Sequence, residues 1–200
     1  MSILIPRTWL VMCIGAALTG CASSPAPVLL TLPSLDYATA TPATTLGVPH
    51  VLAVRRPELP EYLLARRVRY RSDDSSLAEW PSAYWAERLE VSVAREFNHA
   101  LRQRLPGWQL CEANCGERSP ALSLQVKLTS MEYVRTDRML NAHLRLSLWS
   151  VERAPRLLHT EDLTYVLSGD ADTPQAQARA ISAFLACAAS DAARVVLGNP

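Results

Sequence analysis

From Leu122 onward, apolar and polar residues trade places one by one. Leu122, Leu124, Val126 and Leu128 alternate with Ser123, Gln125, Lys127 and Thr129, and Leu140, Ala142, Leu144, Leu146 and Leu148 alternate with Asn141, His143, Arg145 and Ser147. Leu163, Tyr165 and Leu167 continue the pattern. A period of two sends every apolar side chain to one face of a strand. With polar turns near Asp137 and at 153–155, the three runs predict an antiparallel meander covered on one side only. Shorter runs at Val28–Leu32, His50–Val54, Val68–Arg71 and Trp108–Cys111 read as further strands. Leu59–Leu64, with Pro60 inside it, reads as a turn, and Ser34–Pro49 as a connecting loop without periodicity.

Two stretches change the period. Trp85, Leu89, Val93, Phe97, Leu101 and Leu105 recur at every fourth residue, which predicts a helix from Pro81 to Leu105 stopped by Pro106 and Gly107. Arg88, Arg95, Glu96 and Arg102 then fall on its solvated face. The last element opens with Thr173 as N-cap and Pro174 at the first helical position, and Gly198 closes it. Ile181, Leu185, Ala188, Ala192 and Val195 give this helix its apolar face. The expected fold class is α+β: a two-layer sandwich of a mostly antiparallel sheet, mixed pairing left open, with two main helices packed on one face.

The N-terminus has a different logic. Arg7 precedes an apolar run from Trp9 to Leu18, and small residues follow as far as Gly20. That is the layout of a signal peptide, with an apolar run about half the roughly twenty residues needed to span a bilayer. Leu18, Thr19, Gly20 and Cys21 match the lipobox of lipoprotein signal peptidase, in which the cysteine thiolate takes the diacylglycerol. The expected organisation is a signal peptide at 1–20, a short membrane tether at 21–27 beginning with lipid-attached Cys21, and one domain at 28–200. By the sorting rule of enteric bacteria, Ala22 in place of Asp directs such a lipoprotein to the outer membrane, on its periplasmic face.

Charge and cysteines narrow the function further. With 20 Lys and Arg against 19 Asp and Glu the net charge is +1, which leaves no nucleic-acid footprint. Of the cysteines left after cleavage and lipidation, Cys111 and Cys115 are the candidates for a local disulfide in an oxidising compartment. Their spacing is not that of a zinc knuckle, so no metal site is expected. Cys187, in an Ala-rich helical stretch, reads as a buried small apolar residue. His50, His99, His143 and His159 are scattered across elements, Asp73 and Asp74 share a polar turn, and strand alternation points Glu161 and Asp162 to opposite faces. No nucleophile elbow, phosphate loop or His-Glu-x-x-His pattern occurs, so no catalytic residue and no cofactor is assigned. Arg55, Arg56, Arg66, Arg67, Arg69 and Arg71 form the one dense basic region, which suits either lipid headgroups or an acidic partner, or simply a solvated face.

Within that region lies a recognisable pattern. Leu59-Pro60-Glu61-Tyr62-Leu63, Val68-Arg69-Tyr70-Arg71 and Trp85-Ala86-Glu87-Arg88-Leu89 follow the lipobox and the early strand. The Leu105-Pro106-Gly107-Trp108 helix exit and the closing helix come after them. In this order they resemble the ABC-type transport auxiliary lipoprotein family over essentially the whole mature chain, the Cys111 and Cys115 pair lying outside the pattern. The resemblance implies a non-enzymatic docking subunit of an MCE-type lipid transport system. Its partners would be a periplasmic MCE-domain protein and ABC transporter subunits, with homo-oligomerisation left open. Tyr62, Leu63, Arg66, Arg67 and Trp80 are the expected partner contacts, since exposed aromatics flanked by arginines suit interfaces. The rival reading makes Tyr62 and Trp85 core residues of the sandwich, and for Trp85, on the apolar helix stripe, it is preferred. Two other readings stay open: a lipid-binding carrier, and an envelope-assembly lipoprotein of a secretion or pilus machine.

Overall fold

The structure, a computed structural model, describes residues 26–35, 50–112, 115–116 and 119–199. Cys21, the signal segment and most of the tether lie outside these residues. The described chain folds into eight strands and two helices: β1 Val28–Leu30, β2 His50–Val54, β3 Arg67–Arg71, β4 Leu77–Trp85, α1 Leu89–Arg104, β5 Trp108–Cys111, β6 Leu122–Val134, β7 Met139–Ser150, β8 Leu157–Ser168 and α2 Pro174–Leu197. A single turn of 3-10 helix at Glu61–Leu64 occupies the expected turn.

The fold class is α+β, an open mixed sheet with two helices. The long ladders, β6 with β7 and β7 with β8, are antiparallel, as the alternation predicts. The sheet then branches. β2 pairs in parallel with the start of β6 at Leu52–Leu122, and β3 pairs in parallel with its end at Arg71–Val134, so one edge of β6 serves two strands. β5 adds to β2, while β4 and then β1 add to β3. These parallel pairings were illegible because each involves a run of five residues or fewer, too short to show which neighbour it chooses.

The helix expected from Pro81 begins instead at Leu89, and Pro81 lies within β4. The every-fourth spacing ran through Trp85 by coincidence, because Trp85 is the last residue of the strand. β4 slips against β3, with Arg67 opposite Tyr84 but Arg69 opposite Glu79, so residues 80–83 bulge out beside Val68. Pro81 is tolerated there because the bulge asks no ladder hydrogen bond of it, and Ser82 sits at φ 54° to turn the chain. Glu96 is a second correction: it is buried, not solvated, and accepts a hydrogen bond from Arg95 at 2.8 Å.

α2 starts as expected, the Thr173 hydroxyl accepting from Ala176 N at 3.2 Å. Its length and composition would also suit a membrane span, but 67% of its apolar window is buried in the protein, which makes it a core helix. Cys187 departs from expectation, being exposed on this helix between buried Ala186 and Ala188. One hydrophobic cluster fills the space between sheet and helices, with Phe97, Leu144, Leu146 and Phe184 among its fully buried members. Each such side chain contributes about 1.5–3 kcal/mol on leaving water.

Candidate interaction surface

The expected contact residues cluster where β3, with β4 beside it, joins β6, and most of them turn out to be fasteners. Between β2 and β3 the chain runs down the free edge of β6. Arg55 N donates to Leu124 O at 2.9 Å, Glu58 N to Val126 O at 3.0 Å, and Leu128 N to Glu58 O at 2.9 Å. Below this point β6 changes register against β7, between Leu128 and Ser130. The Met131 N–H there is taken by the Tyr62 hydroxyl at 3.2 Å. Tyr62 is therefore half-buried at the seam, and burial pushes its phenol pKa up. Leu63 is half-buried too and packs against the core.

Trp80 is the clearest correction. It is 5% exposed, its indole N–H donating to Gln177 Oε1 at 2.7 Å, while Gln177 Nε2 donates to Arg69 O at 2.7 Å. A buried indole needs an acceptor, and the first turn of α2 supplies it. Arg135 closes the outside of this cluster, its guanidinium 4.4 Å from the Trp80 ring and 5.0 Å from Tyr70, held by Asp172 at 2.9 and 3.1 Å. Trp85 is buried at 4%, as expected for a core residue. Gln177 and Glu132, which grips Arg71 through both carboxylate oxygens, went unremarked in the sequence because lone polar residues carry no periodic signal.

Arg66 and Arg67 remain exposed. Arg67 pairs with Glu79 at 3.2 Å and lies over the Tyr84 ring at 5.2 Å, while Arg69 reaches Glu79 at 3.3 Å. Beyond Tyr84 comes Leu29 of β1, 58% exposed.

At the opposite end of the sheet, Cys111 and Cys115 are joined in a disulfide, Cα to Cα 5.2 Å. It borders a cleft of about 660 Å³ on the sheet's outer face, lined by Arg55, Ser123, Trp149 and Pro155 among others. The histidines and acidic pairs noted in the sequence are spread over the fold, with His159 meeting Glu161 at 3.4 Å. His50 stacks on Trp108 with ring centroids 4.9 Å apart, and His143 meets Thr164 at 2.9 Å. Asp73 caps its own turn, accepting from Ser75 N and Ser76 N at 2.9 and 2.8 Å, and these bonds hold its pKa below the usual carboxylate range. Glu161 and Asp162 diverge to Arg194 and Arg145. Among the described residues no group of three or more His, Cys, Asp or Glu is placed to hold a metal ion.

Residues 31–193 match the family model described as the ABC-type transport auxiliary lipoprotein component. No curated protein matches the chain. Among solved structures, an uncharacterized protein aligns at 18% identity with a TM-score of 0.69, covering 86% of this chain and 99% of its own. Protein XCC0632 from Xanthomonas campestris, of the family DUF330, aligns at 15% identity with a TM-score of 0.63, covering 86% of this chain and 93% of its own. At these identities the two structures establish a shared fold.

Proposed function

The chain belongs to the ABC-type transport auxiliary lipoprotein component family, and on that premise we propose that it is a lipid-anchored accessory subunit of an MCE-type lipid transport system. On this reading acyl chains on Cys21 hold the domain at the periplasmic face of the outer membrane, and the domain docks a periplasmic MCE-domain protein served by an ABC permease and ATPase. Its work is binding rather than turnover, and ATP is hydrolysed elsewhere in the system.

The observation that carries this reading is the family match, which spans the folded domain itself from residue 31 to residue 193. The packing supports docking over carriage of a lipid inside the domain. Two gaps against the helices measure about 20 Å³ beside Tyr62 and Ile181 and about 10 Å³ beside Ala100 and Ala186, room for one water at most, while the cleft of about 660 Å³ is open on the outer face of the sheet. Three acyl chains, at about 0.8 kcal/mol per buried methylene, would make the attachment effectively permanent.

The test is crosslinking in cells followed by capture of the tagged full-length chain. Recovery of an MCE-domain protein with ABC transporter subunits is expected. Recovery of secretion or pilus components in their place overturns the proposal. Labelling with radioactive palmitate reports the Cys21 anchor separately.

A further inference from the structure

An amphipathic row crosses one corner of the sheet. Leu29, Tyr84 and Arg67 are partners in register across β1, β4 and β3. Alternation places them on the face opposite Leu30, Trp85 and Val68, which are buried in the core. With strands about 4.8 Å apart, the row is about 10 Å wide. At the end of the same strands, Leu64, 46% exposed, and Arg66 help to wall a shallow cleft of about 290 Å³ where β4 meets α1. Arg66 is exposed, and its guanidinium has no partner among the described residues.

A single exposed leucine needs no explanation. Here two leucines, a tyrosine and two arginines lie about one corner, Leu29, Tyr84 and Arg67 on the outer face, with Arg67 paired to Glu79, and Leu64 and Arg66 round the strand ends beside Glu87. Together they carry the chemistry of a membrane–water interface: aliphatic groups for the acyl boundary, an amphipathic ring at headgroup level, and guanidinium groups for lipid phosphates. Position makes the same point. β1 begins at Val28, so the tether at 21–27 reaches at most about 25 Å from Cys21. With Cys21 in the bilayer, β1 and its corner are then within reach of the lipid surface.

We infer that the corner formed by Leu29, Leu64, Arg66, Arg67 and Tyr84 rests on the membrane that holds Cys21. The inference builds on the lipid-anchored reading above and adds an orientation to it. β1 and β8 lie at opposite edges of the β1-β4-β3-β6-β7-β8 strip. A β1 corner resting on lipid therefore leaves β8 as the edge farthest from the membrane, where a partner is reached.

The experiment uses the mature chain with Cys21→Ser, which carries no acyl group, and vesicles of phosphatidylethanolamine with phosphatidylglycerol or of phosphatidylcholine alone. Cosedimentation is expected with the anionic vesicles and is expected to weaken as salt is raised. Adding Arg66→Ser and Arg67→Ser is expected to lower partitioning roughly tenfold or more. Adding Leu29→Ser and Leu64→Ser is expected to lower it at every salt concentration. Leu29, Leu64, Arg66 and Arg67 are exposed, and unchanged thermal unfolding of the variants verifies their fold. The inference is overturned if the Cys21→Ser chain does not bind anionic vesicles, or if the variants bind as it does. It is also overturned if the variants keep vesicle binding but lose the crosslinked MCE-domain protein, which would make the corner a protein-docking surface. Absence of palmitate label on Cys21 together with intact vesicle binding would remove the anchor and leave the corner standing.

Discussion

The hydroxyl of Tyr62 and the backbone N–H of Met131 lie 3.2 Å apart, and through them a side chain does the work of a missing strand partner. β6 shifts register beside Met131, so a ladder bond that neighbouring backbone would supply is supplied by a phenol. Tyr62→Phe keeps the ring and leaves this N–H unsatisfied at a half-buried seam. A loss of about 1–3 kcal/mol is expected, read in urea as a lower midpoint at unchanged m-value. An unaltered midpoint would show that water takes over the bond.

Gln177 joins two elements that are distant in sequence, accepting from the Trp80 indole and donating to Arg69 O, both at 2.7 Å. Gln177→Leu fills the same space but strands a buried donor and a strand carbonyl together. The expected destabilisation is at least about 2 kcal/mol, larger than for Tyr62→Phe because two partners are orphaned instead of one. Thermal unfolding of the two variants side by side decides the ranking.

These two contacts mark the boundary of what the sequence discloses. The meander and α2 were legible because long ladders and long helices repeat their pattern many times, and Thr173 and Pro174 stand where a helix start should have them. β4 was misread because its bulge interrupts alternation, and because Pro81, a plausible helix opener, sits four residues before a tryptophan that happens to continue the α1 spacing. Tyr62, Leu63 and Trp80 were expected at a surface on composition alone. Composition does not record which side of a strand a ring occupies or whether a glutamine from another element meets it. Leu29 and Tyr84 escaped notice for the complementary reason: their significance lies in a register between β1 and β4 that only the fold defines.

Tyrosines set the alkaline limit of stability. Burial raises the phenol pKa values of Tyr62, Tyr133 and Tyr165, and for Tyr165 the bond to Asp191 at 2.7 Å adds to the effect. The folded chain therefore keeps these protons where the unfolded chain, with phenols near pH 10, releases them. Above about pH 10 the native state binds more protons than the unfolded state, so stability falls as pH rises. Phenolate absorbance should show these three rings titrating only together with loss of the fold. At the acid end the sign reverses. Arg145, Arg179 and Arg135 hold the carboxyls of Asp162, Asp170 and Asp172 below their ordinary range, a contribution present above about pH 4 and lost below it. Those pairs are exposed, so this limb should be shallow and flattened by salt.

Gly169 leaves room for Tyr133. A Cβ at position 169 would collide with the Tyr133 hydroxyl and lie 3.0 Å from its Cε2, while that hydroxyl donates to Ala171 O at 3.1 Å. Tyr133 is 1% exposed and has nowhere to retreat. Gly169→Ala is expected to cost about 1–3 kcal/mol through overpacking. In a Tyr133→Phe background the same substitution should cost less, since the colliding atom is gone. A double-mutant cycle measures the difference, and additive losses would refute the collision.

Cys21 and the β1 corner make different demands on the same variant. On the lipid-anchored reading Cys21→Ser removes the acyl chains, and it alters no residue of the described domain, so its unfolding curve should superimpose on that of the delipidated parent. Exported in cells behind an ordinary cleavable signal peptide in place of residues 1–20, it should move from the membrane fraction to the soluble periplasmic fraction, because weak contact through one corner cannot replace acyl anchoring. A residue of membrane-bound protein that washes off with salt is what the arginines of the corner would leave. Full retention that resists salt would mean that protein contacts, not lipid, place this domain, and the anchor would then have to be sought outside Cys21.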